Sequence, residues 1–517
     1  MADSPSLADS VAQLTDIFRR ATFTTEAIAA HLGPDATEAL YRGEPGVVAA
    51  ACGDSPLSHL IRFFLLREPY AGETLGELIG SRLALSLLDA HVITRLPSGE
   101  VQVALDIRPH VIAGEARYIV SDLDASMTIH VPGPDHVLGV GAASLSLLSA
   151  APCTPVDSVL DLGTGSGVQA VAQSQCARRV VATDVHRRAL DLAEATLAAN
   201  RITNVELREG PWFEPVGAER FDRIVANPPF VVGMPQVGHV YRDSGLNLDG
   251  ATELVVSEAP RHLNEGGSAH ILGSWVHTAD ESWQQRVSSW LPSRGVSAWV
   301  VQRDVVDPGM YVSTWLKDES VDPRSREGVD KTRRWLEHFA EAGVRAVGFG
   351  WVFLRDIGDA PTEVTAEDVA QPFTDPLAPE AAEHFERAAW LRGMTREDIL
   401  DARFLLRPGV ALEEISVADS TTGMGFAPTV VRLTRTDGPR FSHEIDAGLK
   451  SIVAGLHPQG LALRDVLDLW SLSNASSLAD GPSVPGVPDV TESAVAAVVD
   501  LVRHGIVIPA DIAEVVA

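Results

Sequence analysis

Asn227-Pro228-Pro229-Phe230 is the segment whose residue types point most directly to a reaction. Two consecutive prolines fix the backbone and remove two N–H donors, leaving carbonyl oxygens to point into a site. The Asn227 side-chain oxygen and the Pro228 carbonyl can then accept both protons of an NH2, while Phe230 offers a flat surface to the group that carries it. An amide or exocyclic amine is a poor nucleophile because its lone pair is delocalised. Accepting both protons helps that nitrogen pyramidalise as it attacks, so positioning and dipoles suffice without a metal or a strong base. The tetrad reads as a holder for a planar nitrogen nucleophile.

Upstream, Val159-Leu160-Asp161-Leu162 runs into Gly163-Thr164-Gly165-Ser166-Gly167, an apolar strand leading to a glycine-rich turn. Glycines there let the backbone approach a ligand and bend where a Cβ would clash. A dinucleotide-binding turn spaces its glycines G-x-G-x-x-G for a pyrophosphate; here the spacing is G-x-G-x-G, with Asp161 two residues ahead. That acid repels a pyrophosphate and suits a cationic ligand. A second strand ends at Asp184, where a carboxylate can accept both hydroxyls of a ribose, as it also does in dinucleotide enzymes. The tetrad, at the end of Phe221 to Ala226, has no counterpart in a dehydrogenase.

Together these residues resemble the class I methyltransferases with an Asn-Pro-Pro-aromatic tetrad, above all the HemK/PrmC release-factor glutamine methyltransferases and the RsmC-like ribosomal RNA guanine-N2 methyltransferases. The resemblance covers about Asp135 to Ser274. It implies a seven-stranded Rossmann-like α/β fold and S-adenosylmethionine as methyl donor. Asp161, Gly163, Thr164, Gly165, Ser166, Gly167 and Asp184 would then surround the donor, with Asn227 shared between donor and substrate. Gly210-Pro211-Trp212-Phe213 resembles a family segment whose Trp lies near the adenine, which makes Trp212 the matching contact; Pro211 stands where the family has Asp. His136 to Gly141 resembles the family's lead-in and Leu248-Asp249-Gly250 its loop after the tetrad.

On the substrate side the expected set is Asn227, Pro228, Pro229, Phe230 and Arg242, the last able to pair with a phosphate or carboxylate. Asn227, Pro228 and Phe230 are the expected catalytic residues; no metal is implied. The acceptor stays open between a protein glutamine, as in a release-factor-like protein, and an RNA base. Family usage of Phe at the tetrad's end leans to RNA, and the net charge leans to protein. Two other readings are a methyltransferase for a small metabolite or peptide, with the terminal modules as a lid, and a non-catalytic sensor of S-adenosylmethionine. The intact tetrad and glycine loop argue against the sensor.

Elements must position these residues, and 517 residues suggest about three domains. The expected division is a helical, winged-helix-like domain at 1–130, the methyltransferase domain at 131–357, and a C-terminal α+β, winged-helix-like domain at 358–517. Strand-like runs at Val156 to Leu162, Arg179 to Asp184, Val205 to Glu209, Arg223 to Asn227, Ser268 to Gly273, Ala298 to Asp304 and Gly348 to Arg355 alternate with helical stretches. The last two suit an antiparallel hairpin at the sheet's edge. Ala360 to Glu386 reads as a linker or a loosely helical bridge, and Met424 lies in a loop. A short apolar helix and then a second helix ending in Asp89-Ala90-His91-Val92-Ile93 or Arg503-His504-Gly505-Ile506-Val507-Ile508 occurs at both ends, as an old duplication or as chance would give.

A net charge of −29, with only three lysines, argues against a general DNA or RNA coat. The local cluster Arg324, Arg326, Lys331, Arg333 and Arg334 reads as a solvated helix face. Cys52, Cys153 and Cys176 follow no ligand spacing and read as small buried hydrophobes; His110, His130, His136 and His239 read as surface or satisfied core residues, and Trp275 as packing. With no leader-like start and no long apolar run, a cytoplasmic protein without membrane contact is expected.

Overall fold

A computed structural model describes residues 6–128, 131–235, 243–473 and 490–513. The chain forms two compact units, Met1–Glu367 and Asp368–Ala517.

In the first unit, eight strands form one sheet: β1 (Val156–Leu162), β2 (Ala177–Asp184), β3 (Val205–Glu209), β4 (Phe221–Ala226), β5 (Leu263–His277), β6 (Arg294–Val306), β7 (Ala346–Pro361) and β8 (Glu363–Asp368). Their order is β3-β2-β1-β4-β5-β7-β6-β8. The first five are parallel, and β7 runs antiparallel to both β5 and β6. The last four residues of β1 and of β4 are buried, as befits strands covered on both faces. This is the expected Rossmann-like α/β sheet, with one strand more than the seven expected. Glu363–Asp368 lies in the segment read as a linker, yet it adds a strand beside β6. Val364 and Ala366 pack on the sheet's core, while Glu363 accepts from Ser297 Oγ at 2.7 Å and Glu367 from Trp299 Nε1 at 2.9 Å. Its acid-rich composition hides a period-two pattern, and charged residues suit an edge strand.

The N-terminal helices share their core with the sheet's own helices. α1 (Leu7–Arg20) starts at Ser6, whose hydroxyl accepts from Asp9 N, and buries Val11, Leu14 and Phe18. Val168–Gln173 (α2) follows β1, and Arg187–Ala199 (α3) follows β2. Ala189, Leu192, Ala195 and Ala199 of α3 join the N-terminal apolar cluster. Thr15 Oγ1 donates to Ala199 O at 3.2 Å, and the Leu105–Ile112/Glu115–Asp122 hairpin docks on α3 through Asn200 and Thr196. Helices Gly72–Ile79 and Ser81–Asp89 lead into the ribbon Ile93–Arg95/Val101–Val103, a helix–helix–ribbon order.

Two helices connect β6 to β7: α4 (Pro308–Asp318) and α5 (Arg326–Glu341). Trp275 packs as expected: it is fully buried, stacks on Trp283 and donates to Gln302 Oε1 at 2.7 Å. Cys153 departs from expectation. It is exposed, because it lies in the loop ahead of β1, and Cys176 is only half-buried; Cys52 alone of the three is buried.

The second unit begins with α6 (Leu377–Arg392), so the rest of the supposed linker is largely helix. Leu463–Ser473 and α7 (Val490–Arg503) are the two expected helices, and Val507–Pro509 pairs with Phe404–Leu406. Met424 lies in the turn of an exposed hairpin, Val410–Ala418/Phe426–Arg435.

Candidate functional site

Strands β1, β2 and β4 end along one edge of the sheet, and the strand order reverses between β1 and β4. Loops leaving such a switch point diverge and open a crevice. The glycine loop leaves β1, Asp184 closes β2, and Asn227 follows β4.

Gly163, Gly165 and Gly167 have φ of +74°, +53° and +87°, the left-handed region that glycine enters without steric cost. Gly163 and Thr164 donate backbone N–H to Thr183 O at 3.0 and 2.9 Å. Gly165 N donates to Asp184 Oδ2 at 3.0 Å, and His186 N donates to Oδ1 at 2.9 Å. The Asp184 carboxylate is thus oriented by two backbone donors, while burial raises its pKa. Thr164 Oγ1 donates to Asp161 Oδ2 at 2.6 Å, and Ser166 Oγ to Leu138 O at 2.8 Å. Both hydroxyls therefore shape the loop, Ser166 by tying it to the lead-in segment.

Asp161 is 1% exposed; Thr164 Oγ1 and, more loosely, the Ala170 N–H face its carboxyl, and its Oδ1 lacks a well-formed hydrogen bond. Burial pushes the carboxyl up to about 7, against the Thr164 hydrogen bond. A buried acceptor in that state is completed by a cation or a donor.

The tetrad adjoins this loop. A Cβ placed on Gly163 would lie 3.9 Å from Asn227 O and 3.9 Å from Pro228 Cα, so the tetrad's backbone lies beside the glycine loop with room for a side chain's first atom between them. Pro228 is buried; Asn227, Pro229 and Phe230 are partly exposed. Two residues absent from the sequence reading hold the turn's exit. Ser274 on β5 donates its hydroxyl to Phe230 O, and Val232 N donates to the Tyr311 hydroxyl at 2.6 Å.

Sequence similarity covers this same region. The family model described as the methyltransferase small domain matches residues 139–276. Two further models, each described as a domain of unknown function, match 20–104 and 382–509. The chain is 33% identical over 208 residues to the release factor glutamine methyltransferase of Yersinia pestis, covering 37% of this chain and 70% of that one. The chain belongs to this methyltransferase family. The corresponding Aliivibrio fischeri protein is 37% identical over 175 residues, 32% of this chain and 58% of that one. Ribosomal RNA small subunit methyltransferase C of Escherichia coli is 35% identical over 146 residues, 28% and 39% of the two chains. The chain spans about half the length of the curated relatives it matches.

Around the candidate site, Gly210 N donates to Asp184 O at 3.0 Å, so the Gly210–Phe213 segment hangs from the last residue of β2. Trp212 has φ of +49° and packs, half-buried, against the sheet's core; Phe213 stacks on His262 with ring centroids 4.6 Å apart. Leu248 N donates to Gly233 O at 2.8 Å. Asp249, 2% exposed, accepts Val276 N at 2.9 Å and pairs with Arg286 through both oxygens at 2.7 Å. That residue fastens the loop after the tetrad to β5. Arg242, His130 and His239 lie outside the described residues. His110 is held down to about 4 by burial and by neighbouring Arg108, and His136 is buried.

The basic cluster is largely neutralised by its own surroundings. Arg324 pairs with Asp322, Lys331 with Glu319 and Glu327, and Arg333 with Asp330, at 2.7 to 3.2 Å. Arg326 and Arg334 stand on the exposed face of α5. No helix among the described residues is long and apolar enough to cross a membrane.

Proposed function

We propose that this chain is an S-adenosylmethionine-dependent N-methyltransferase whose acceptor is a planar NH2 on a macromolecule. The placement of Asn227 and Pro228 beside Gly163 carries the reading, because it sets a loop suited to a ribose-bearing cation next to a turn suited to an NH2. Bound there, S-adenosylmethionine supplies an electrophilic methyl group on a positively charged sulfur. The donor's cation fits the incomplete Asp161 carboxylate, and Asp184 stands ready for ribose hydroxyls. Trp212, and the half-exposed apolar Leu138 and Val185 beside the loop, would cover an aromatic base.

Asn227 and the Pro228 carbonyl accept the two N–H groups and aim the nitrogen lone pair at the methyl carbon, with Phe230 and Pro229 bounding the acceptor plane. Held there, the acceptor nitrogen would take the methyl group that bound S-adenosylmethionine supplies, the donor leaving as its neutral thioether, and would give up one proton to water. In this reading the expected division at 357 moves to the end of the sheet: residues 131–367 carry the reaction, and 1–130 and the second unit, Asp368–Ala517, serve recognition. A protein acceptor, a glutamine in a release-factor-like protein, is favoured over an RNA base by the paired state of the basic cluster and the charge of −29.

The test is transfer of label from methyl-tritiated S-adenosylmethionine into a lysate of the same host lacking this gene, followed by separate protease and ribonuclease digestion. Label made acid-soluble by protease supports the glutamine acceptor, and label released by ribonuclease supports the RNA base. Label confined to small molecules, or none above a blank without enzyme, refutes the proposal.

Asp161 adds a pH dependence. Its carboxyl is raised, so the ligand-free protein holds that proton up to about 7. A cation placed near it favours the ionised form, and binding then releases the proton. Affinity for S-adenosylmethionine should rise with pH up to about 7, by at most roughly tenfold per unit, and level off above. Without donor the sign is opposite: a raised acid stabilises the fold below its ordinary range and loses that contribution as pH climbs through 7. Calorimetric titration between pH 5.5 and 8.5 reads the slope, which Asp161→Asn should flatten. A wild-type affinity independent of pH across that window rules the coupling out.

A further inference from the structure

The turn after the tetrad is held by a part of the chain that lies outside the match to the methyltransferase small domain. Asp307 caps α4, its Oδ1 accepting Gly309 N at 2.9 Å and Met310 N at 3.0 Å, and Pro308 sets the first turn. This start places Tyr311 within that turn, 1% exposed, among Val231, Val232, Val312, Trp335, Phe339 and Val347. In that apolar setting its hydroxyl accepts the N–H of Val232, itself fully buried, at 2.6 Å. The Val232 N–H is two residues past Phe230, and no strand or helix ladder supplies it a partner.

Further contacts from α5 meet this stretch. Trp335 lies against Gly233, where an added Cβ would come within 3.2 Å of its Cζ2, and His338 Nε2 is 2.9 Å from Asn247 Oδ1. Gly233 in turn bridges to Leu248, a member of the same apolar cluster. Both flanks of the segment that follows the tetrad are therefore docked on α4 and α5.

We propose that Tyr311 is a positioning residue for methyl transfer: by accepting the Val232 N–H it fixes the exit of the Asn227–Phe230 turn and so the aim of the acceptor-holding carbonyls. The inference rests on the N-methyltransferase reading. Tyr311 would touch neither donor nor acceptor; it acts through Val231 and Val232 on the orientation of Phe230. Ser274, which holds the Phe230 carbonyl from the opposite strand, supplies the second anchor, so losing one should loosen the turn without dissolving it.

The experiment compares the full chain with Tyr311→Phe, which keeps the ring and removes the hydroxyl. Three quantities are read: binding of S-adenosylmethionine by calorimetry, the dependence of tritium transfer into deletion-strain lysate on donor concentration, and hydrogen exchange of the peptide spanning Val231 to Gly233. The expected result is donor affinity and donor KM within about twofold of wild type, maximal transfer lowered roughly tenfold or more, and faster exchange confined to that peptide. Undiminished transfer, or unchanged exchange at Val231 to Gly233, overturns the assignment. So does a loss of protection across the whole unit with donor affinity falling in step, the signature of a merely structural residue. A wild-type chain that transfers no label sinks the N-methyltransferase reading instead, while the exchange arm still reports whether Tyr311 anchors the turn.

Discussion

Asn227→Ala should lower methyl transfer by roughly a hundredfold or more while leaving affinity for S-adenosylmethionine within a few fold. Donor binding draws mainly on the glycine loop, Asp161 and Asp184, none of which hydrogen-bonds the Asn227 side chain, so the share in the donor expected of Asn227 accounts for the few-fold loss. Acceptor alignment depends on that side chain directly. Without it, one N–H of the acceptor loses its partner and the nitrogen turns away from the methyl carbon. Misalignment of a reacting pair by about 1 Å can itself cost a hundredfold. The turn should survive the substitution, because Pro228 and Pro229 set its backbone and Ser274 and Tyr311 hold its exit. Initial rates of tritium transfer into deletion-strain lysate, set beside calorimetric donor affinities, check both halves. Undiminished transfer by Asn227→Ala would remove the tetrad from the reaction.

What could be read from the sequence was local. The glycine loop, Asp184 and the tetrad each follow a strand within a few residues, so motif and position along the chain are the same fact. Ser274 and Tyr311 were out of reach because they meet the turn from 44 and 79 residues away, and nothing in either's neighbours marks it. The strand β8 was missed for another reason. Glu363, Glu367 and Asp368 dominate the composition of that segment, and the alternation of Val364 and Ala366 between them is too short to outweigh it. The helix after β2 carries a further legible signal. In α3, eight of thirteen residues are buried, including Ala189, Leu190, Leu192, Ala193 and Leu197. Residues that are apolar nearly all round a helix imply cover on both sides, here the sheet on one and the N-terminal helices on the other.

Glu380→Gln should destabilise the second unit by about 3–5 kcal/mol, the cost of removing one partner from a buried ionic cluster. Glu380 is 3% exposed and sits between two guanidinium groups, Arg387 Nη2 at 2.5 Å and Arg435 Nη2 at 2.7 Å. Those arginines, with Arg407, converge on the end of α7: Arg387 donates to Arg503 O, Arg435 to His504 O and Arg407 to Gly505 O, at 2.8 to 3.3 Å. Gly505 has φ of +62°, and a Cβ there would fall 3.0 Å from both Arg387 Nη1 and Arg435 Nη1, so the cluster also explains the glycine. Glutamine keeps the shape but supplies no charge, leaving two buried cations short of compensation. Glu383 and Asp437 remain, yet Glu383 is itself raised by burial and by the charge of Glu380, and Asp437 is nearly half exposed. Burial pushes Glu380 up, but Arg387 and Arg435 outweigh it and hold the carboxyl down to about 2, from an ordinary 4.5. A depressed acid stabilises the fold above its ordinary value and loses that contribution as pH falls from about 4.5 towards 2. Wild type should therefore lose acid stability across that window, and Glu380→Gln should begin lower and lack this part of the slope. Urea unfolding of the full chain, followed by hydrogen exchange in α6 and α7 at pH 7 and pH 3, measures both effects. A variant within about 1 kcal/mol of wild type at pH 7 would mean that the remaining acids compensate and that Glu380 is dispensable.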